Sequence, residues 1–356
     1  MNQQILTSIQ QHTRTLYQLD SKHYEIKKVA ARNLLHVSRF DLFAKLFYIR
    51  HKESAPQLAR QVYCEHIKVF NPDLKEPGRE DKQGMDKFIH TFDQLIADFA
   101  TSEFDETKSI VPVDKNGVIL DGAHRVAALA YYGKKVTIAQ FDDVTSHGIF
   151  DYNYFLSRGL SFEIADIIAL EATMWCKNLY AACLWPKVSQ SADRERVKRF
   201  IRNNTSLVYE KKFLVSLSQL TRFVAQIYAN QSWVGTEANH FKGARDKALQ
   251  CYSSHKRFEI LLFQSSLPLD DIIYMKETIR GHFNYGKHAI HITDNDAETR
   301  LLSDLVLDKT KRKEWLDDGG FFSLNSLYEK MSERILLFRY QYLIPFKTYV
   351  FRLLHP

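Results

Sequence analysis

The stretch Ile110-Val-Pro-Val-Asp-Lys-Asn-Gly-Val-Ile-Leu-Asp-Gly-Ala-His-Arg-Val-Ala-Ala-Leu-Ala-Tyr-Tyr-Gly-Lys-Lys-Val-Thr-Ile138 decides how this chain is read. Residues 110–113 predict a buried strand. Asp114-Lys-Asn-Gly117 is a turn with glycine where a positive φ is needed. Residues 118–120 predict the returning strand, and Asp121-Gly122 breaks it. A helix then opens at His124-Arg125, with Val126, Leu129 and Ala130 at helical spacing. Gly133 closes the helix, and residues 136–138 begin a third strand. A Gly, a His and an Arg therefore meet at a strand-to-helix junction. The first-turn amides of a helix point outward there and its dipole is positive, so the chemistry favoured is phosphate binding. Arg125 adds a planar donor fork suited to the same ligand.

Working outward, the 356 residues suffice for two or more cores. A chain 45% hydrophobic and 26% charged is globular, and only 13 Gly and 8 Pro predict long helices. The net charge of +7 and pI near 9.0 favour an anionic partner without choosing among nucleotide, nucleic acid, acidic lipid or phosphorylated glycan. Residues 1–20 carry no secretory signal pattern, so a reducing cytoplasm and free thiols are expected for Cys64, Cys176, Cys183 and Cys251. Cys176 and Cys183 are expected on one helix face. No apolar run approaches the ~20 residues of a membrane span.

The expected class is mixed α/β, in four segments. Residues 1–61 read as helical, with Pro56 opening a helix. Residues 62–145 read as a compact α/β unit, with a short strand at 67–70, a charged loop at 73–84 and an amphipathic helix at 85–101. Residues 146–230 read as mostly helix. Ser161 is an expected N-cap, and Trp185-Pro186 is expected to end a helix. Residues 231–356 read as a second α/β segment, with strands at 258–264 and 288–292, helices at 269–280 and 296–307, and a basic, aromatic tail.

The order of elements around Asp121-Gly122-Ala123-His124-Arg125 resembles the ParB/sulfiredoxin-like superfamily over roughly residues 62–142. Members include partition proteins that bind CTP, sulfiredoxin, which uses ATP, and an ADP-dependent serine kinase. The kinase box, Asp-Gly-His-His-Arg, differs from this one at a single position. Ala123 stands where sulfiredoxin carries its nucleophilic cysteine, which argues against sulfinic-acid reduction. The C-terminal part, with Trp233-Val-Gly235 and Lys287-His-Ala-Ile-His-Ile-Thr-Asp294, resembles proteins of bacterial surface-polysaccharide loci. The resemblance implies a nucleotide cofactor (ATP or ADP, with CTP an option), Mg²⁺ bridging phosphate oxygens, and kinase-like transfer to a hydroxyl of a sugar or glycan acceptor.

The candidate residues follow. Asp121, Gly122, His124 and Arg125 are expected to hold phosphate, with His124 also a candidate in catalysis. The loop Glu76-Pro-Gly-Arg-Glu-Asp-Lys82 reads either as a solvated charge run or, by analogy with the kinase-like members, as the source of a general base. That base would be Glu76 or Glu80, with Arg79 and Lys82 neutralising the phosphoryl group. His288, His291 and Asp294, with Trp233, form a second constellation, for a substrate or for structural hydrogen bonds. No metal-ligand set is identified. Two other readings stay open. One is a nucleotide-gated DNA-binding protein or nuclease, disfavoured by the missing helix-turn-helix. The other is a non-catalytic scaffold in polysaccharide assembly. The tail with Arg334, Phe338, Arg339 and Tyr340 either packs on the core or lies on an anionic membrane at the inner face.

Overall fold

The computed structural model describes residues 6–76, 79–283 and 285–317, with 79–82 described as backbone alone. The basic tail and Gly319-Gly320 fall outside these residues. The chain divides into two compact units between Lys177 and Asn178, within the segment read as one helical region. Helices and two principal sheets make the mixed α/β class expected. No helix among the described residues is long and apolar enough to cross a membrane.

Unit 1 runs α1 (Gln11–Tyr17), β1 (Tyr24–Ala30), α2 (Phe40–His51), α3 (Pro56–Phe70), β2 (Lys75–Glu76), β3 (Arg79–Gln83), α4 (Met85–Thr101), β4 (Val111–Val113), α5 (Ala123–Tyr131), β5 (Lys135–Phe141), α6 (Tyr152–Ser157) and α7 (Phe162–Trp175). Its three-stranded sheet has the order β1-β5-β4. β4 lies parallel to β5, Val111 opposite Ile138, and α5 is the crossover between them. β1 pairs antiparallel with β5, Tyr24 opposite Phe141. Around this sheet, α2 packs against α3, α5 and α7. Every residue from Phe40 to Ile49 is buried, so α2 is a central helix apolar on all sides except at Asp41 and Lys45.

The turn after β4 forms as expected. Gly117 has φ +83°, and the buried Asp114 ties the turn together, accepting from Asn116 N (2.8 Å), Val118 N (2.9 Å) and Ser146 N (3.0 Å). The returning segment makes one antiparallel bridge, Val113 to Ile119, rather than a strand. Three further expectations in this unit are corrected. Residues 24–30 form a strand inside the segment read as helical. Residues 67–70 are the last turn of α3, because the apolar face of that helix runs on through Ile67. The charged loop is a short hairpin, β2 against β3.

Unit 2 contains β6 (Leu179–Leu184), α8 (Ser191–Asn204), β7 (Ser206–Leu214), α9 (Leu217–Ile227), α10 (Lys242–Cys251), β8 (Arg257–Gln264), α11 (Leu269–His282), β9 (Ile290–Ile292), α12 (Asp296–Leu307) and α13 (Lys309–Leu316). Its sheet is wholly antiparallel in the order β7-β8-β6-β9. On one face, Ala182, Leu184, Leu261 and Phe263 meet Val197 and Ile201 of α8 and Ile272, Met275 and Ile279 of α11. On the other, Phe258 stacks on Trp185 at 5.4 Å and meets Phe223 and Trp315. With helices on both sides, β8 is apolar from Phe258 to Phe263 apart from Glu259, which is buried near Arg194 and Lys198. β6 and β7 correct the expectation of helix over 146–230. Trp185-Pro186 ends a strand, and Cys176 and Cys183 belong to a helix cap and to β6, not to one helix face. All four cysteines are free thiols. Ser161 caps α7, accepting from Ile164 N at 3.3 Å.

Candidate functional site

In unit 1, the end of β4 and the turn after it deliver the chain to α5 at a cleft of about 230 Å³. Gly122 sits at the helix N-cap with φ +86° and ψ 23°, a left-handed conformation that costs a side-chain-bearing residue about 1–2 kcal/mol. The first i→i−4 bond of α5 runs from Val126 N to Gly122 O at 2.9 Å. The amides of Ala123, His124 and Arg125 therefore make up the first turn, where the dipole is positive. Asp121, Gly122, Ala123 and His124 line the cleft, and so does Glu76 of β2. Of the two acids expected to serve as base, Glu76 thus shares the cleft with the box. Glu76 also accepts from Gln10 Nε2 at 3.4 Å.

His124 is oriented from behind. Its Nε2 lies 2.9 Å from the hydroxyl of Tyr63, and its ring meets Phe92 edge-on at 4.7 Å. Tyr63 is fully buried, and burial raises its phenol well above the usual range, so it stays protonated. Arg125 does not line the cleft. Its guanidinium folds back over Gly122, with Nη2 3.3 Å from Asp121 Oδ2, and a Cβ at position 122 would meet that same Nη2 at 2.9 Å. Arg79, Glu80 and Lys82 belong to β3, whose Arg79 pairs with Glu76, but their side chains lie outside the described residues.

The cleft lining also carries a charged group that the sequence reading missed. Arg39 grips Asp41 with two hydrogen bonds, Nε to Oδ1 at 2.9 Å and Nη2 to Oδ2 at 3.0 Å, while its Nη1 donates to Ile119 O at 2.7 Å. Lys45 Nζ donates to Asp41 Oδ2 at 2.9 Å and approaches His66 Nε2 to 3.4 Å. All four side chains are buried, Asp41 to 1% exposure. Burial alone would raise the Asp41 carboxyl. Arg39 and Lys45 overcome this and hold it far below the ordinary carboxylate range. Burial, and then Lys45, push His66 down to about 3, so its imidazole is neutral. Two cations thus share one carboxylate in this wall. The readable signal is a pair of charges set in the otherwise apolar run from Phe40 to Ile49.

Unit 2 has its own cleft, of about 550 Å³. It gathers three of the four substrate candidates, Trp233, His291 and Asp294, and adds Tyr228, Asn230, Gln231, Asn295 and Glu298. Tyr228 stands between Trp233 (ring centroids 5.2 Å apart) and His291 (5.5 Å). His291 Nε2 lies 2.9 Å from Glu298 Oε1, yet it is buried without an aligned hydrogen-bond partner. Burial would raise the Glu298 carboxyl, but His291 and the Asp294 N–H (2.8 Å from Oε2) hold it below the usual range. Asp294 pairs with Lys276 and stays half exposed. Glu298 was legible only as part of the acidic start of α12. His288 is not brought in. It precedes β9 in a 3₁₀ turn, beside Lys247 (3.4 Å) and Cys251 (3.8 Å). Thr293 turns inward to Ala181 N and Thr299.

Among the described residues, no group of three or more His, Cys, Asp or Glu side chains could hold a metal by itself. Comparison with protein-family models, curated proteins and solved structures finds no match to this chain.

Proposed function

We propose that unit 1 is a nucleotide-dependent phosphotransferase acting on a hydroxyl group. The carrying observation is that the left-handed Gly122 turn, the first turn of α5 and the Glu76 carboxylate share one cleft with the buried cations Arg39 and Lys45, which are tied to Asp41. The closeness of Asp121–Arg125 to the serine kinase box supports the same reading. The nucleotide, when bound, supplies the phosphoryl group. The first-turn amides of α5 orient phosphate oxygens, Arg125 turning from its Asp121 contact to join them, and the buried Arg39 and Lys45 add fixed positive charge beside Asp41. Tyr63 locks the ring of His124 against the phosphate end. Glu76 takes the proton from the attacking hydroxyl. Asp121 is the carboxylate suited to Mg²⁺, which needs only one or two when phosphate oxygens complete its shell.

Thermal unfolding of the wild type and of Arg125→Ala, with ATP, ADP or CTP and with or without Mg²⁺, tests the site. Stabilisation of the wild type alone is expected. Equal nucleotide affinity in Arg125→Ala overturns the assignment. Glu76→Gln is expected to keep nucleotide binding and lose about 10²-fold or more in phosphotransfer.

A further inference from the structure

We propose that the cleft of unit 2 binds the ring of an uncharged sugar, stacked on Trp233 and hydrogen-bonded through its hydroxyls to Glu298, Asp294 and the amides of Asn230 and Gln231. This goes beyond the phosphotransfer reading and does not rest on it.

Three observations carry the inference. First, the walls differ in chemistry in the way a sugar ring requires. Trp233 is 44% exposed in a chain whose Trp185 and Trp315 are fully buried, and Tyr228 backs it. The negative face of an indole attracts the polarised C–H groups that a pyranose presents on one side. Across the cleft stand Asp294, Asn295 and Glu298, all able to accept from hydroxyls, and the exposed amides of Asn230 and Gln231 both donate and accept. Secondly, His291 lies in the floor at 8% exposure and sets its Nε2 2.9 Å from Glu298 Oε1, which fixes that carboxylate at the cleft wall as an acceptor. Thirdly, the cleft is pre-formed. A Cβ at Gly243 of α10 would come within 1.7 Å of the Trp233 carbonyl oxygen, so glycine there lets the Trp233 segment seat directly on the helix. Gly235, at φ +90°, turns the chain away, and Thr236 and Asn239 cap the turn that follows.

The class of ligand follows from the charges. Among the described residues, no Lys or Arg lines the cleft, and two carboxylates do. An anionic sugar or a phosphate would meet like charge, whereas neutral hydroxyls meet acceptors. The volume of about 550 Å³ lies within the range of small-molecule sites.

The test uses the full chain without nucleotide. Glucose, galactose, mannose, N-acetylglucosamine, lactose and maltose are the probes, read by saturation-transfer NMR and tryptophan fluorescence. At least one is expected to bind saturably, with ring protons of one face receiving the strongest transfer. Trp233→Ala should weaken that probe about tenfold or more, Trp233→Tyr should retain it, and Glu298→Gln should weaken it several-fold. Trp175→Phe and Arg125→Ala should leave it unchanged, so nucleotide and sugar binding can fail separately. Saturable binding of none of the probes overturns the proposal, as does binding unaffected by Trp233→Ala. Tighter binding of glucuronate than of glucose would overturn the assignment to an uncharged ring.

Discussion

The two clefts of this chain are built from opposite materials. In unit 1, the lining joins a helix N-terminus and a buried pair of cations sharing Asp41 to two further carboxylates, Glu76 and Asp121, with Gly122 in a left-handed turn. In unit 2, the walls are an exposed indole, amides and two carboxylates, with no Lys or Arg in the lining among the described residues. The ligand proposed for the first is charged; the one proposed for the second is neutral and distinguished by its shape and hydroxyl pattern. The positive charge of unit 1 is also internal to the fold, so it cannot be removed without disturbing the helix that carries it. The polar groups of unit 2 lie at loop and helix ends and can be changed singly.

This contrast can be broken most forcefully at Asp41. Asp41→Asn leaves two buried cations without their carboxylate, and a loss of about 3–5 kcal/mol is expected in urea unfolding followed by hydrogen exchange of α2 and α5. A loss below ~1 kcal/mol would show that the charged wall is not held as described. The next effect is that of pH. In the folded chain His66 titrates at about 3, below the ~6.5 of an unfolded histidine, so as acid is added the unfolded chain takes up the proton first. Stability is complete above ~6.5 and falls by about 1.4 kcal/mol per pH unit down to about 3. The depressed Asp41 carboxyl adds to the loss below about pH 4. His66→Asn should flatten the curve between pH 6.5 and 4 in thermal melts. His288, pushed to about 4 by burial and Lys247, gives unit 2 a weaker dependence of the same sign.

Gly243→Ala sharpens the contrast from the other side. The backbone of Trp233 must move, at a cost of about 1–3 kcal/mol, and sugar binding should fall while nucleotide binding stays. Gly122→Ala is the smallest and the mirror image. The left-handed φ costs about 1–2 kcal/mol and Arg125 is displaced. Nucleotide binding should then weaken with sugar binding intact, both measured by calorimetry.

Much of the unit 1 site could be read from sequence because its chemistry is local. Gly117, Gly122 and His124 lie within eight residues of one another, and each is dictated by a turn or a helix start. What escaped depends on long-range pairing. β1, Tyr24-Glu-Ile-Lys-Lys-Val-Ala30, is an edge strand exposed over most of its length, so it shows no alternation of apolar and polar residues. β6, Leu179-Tyr-Ala-Ala-Cys-Leu184, is buried and rich in alanine, which periodicity alone cannot tell from helix. The Arg39–Asp41–Lys45 group escaped because a basic residue beside an apolar stripe ordinarily faces water. Only the packing of α2 on three helices turns it inward. In unit 2, the approach of Trp233, His291 and Asp294 depends on the turn after α9 meeting the end of β9, which no spacing in the sequence encodes.

The close seat of the Trp233 carbonyl on Gly243 also bears on rates. A wall pinned at its backbone has no loop to order when a ligand arrives, so encounter alone governs association. Sugars that differ by one hydroxyl should then associate at nearly the same rate and part company in residence time. The selectivity of this cleft would be written in how long each ring stays.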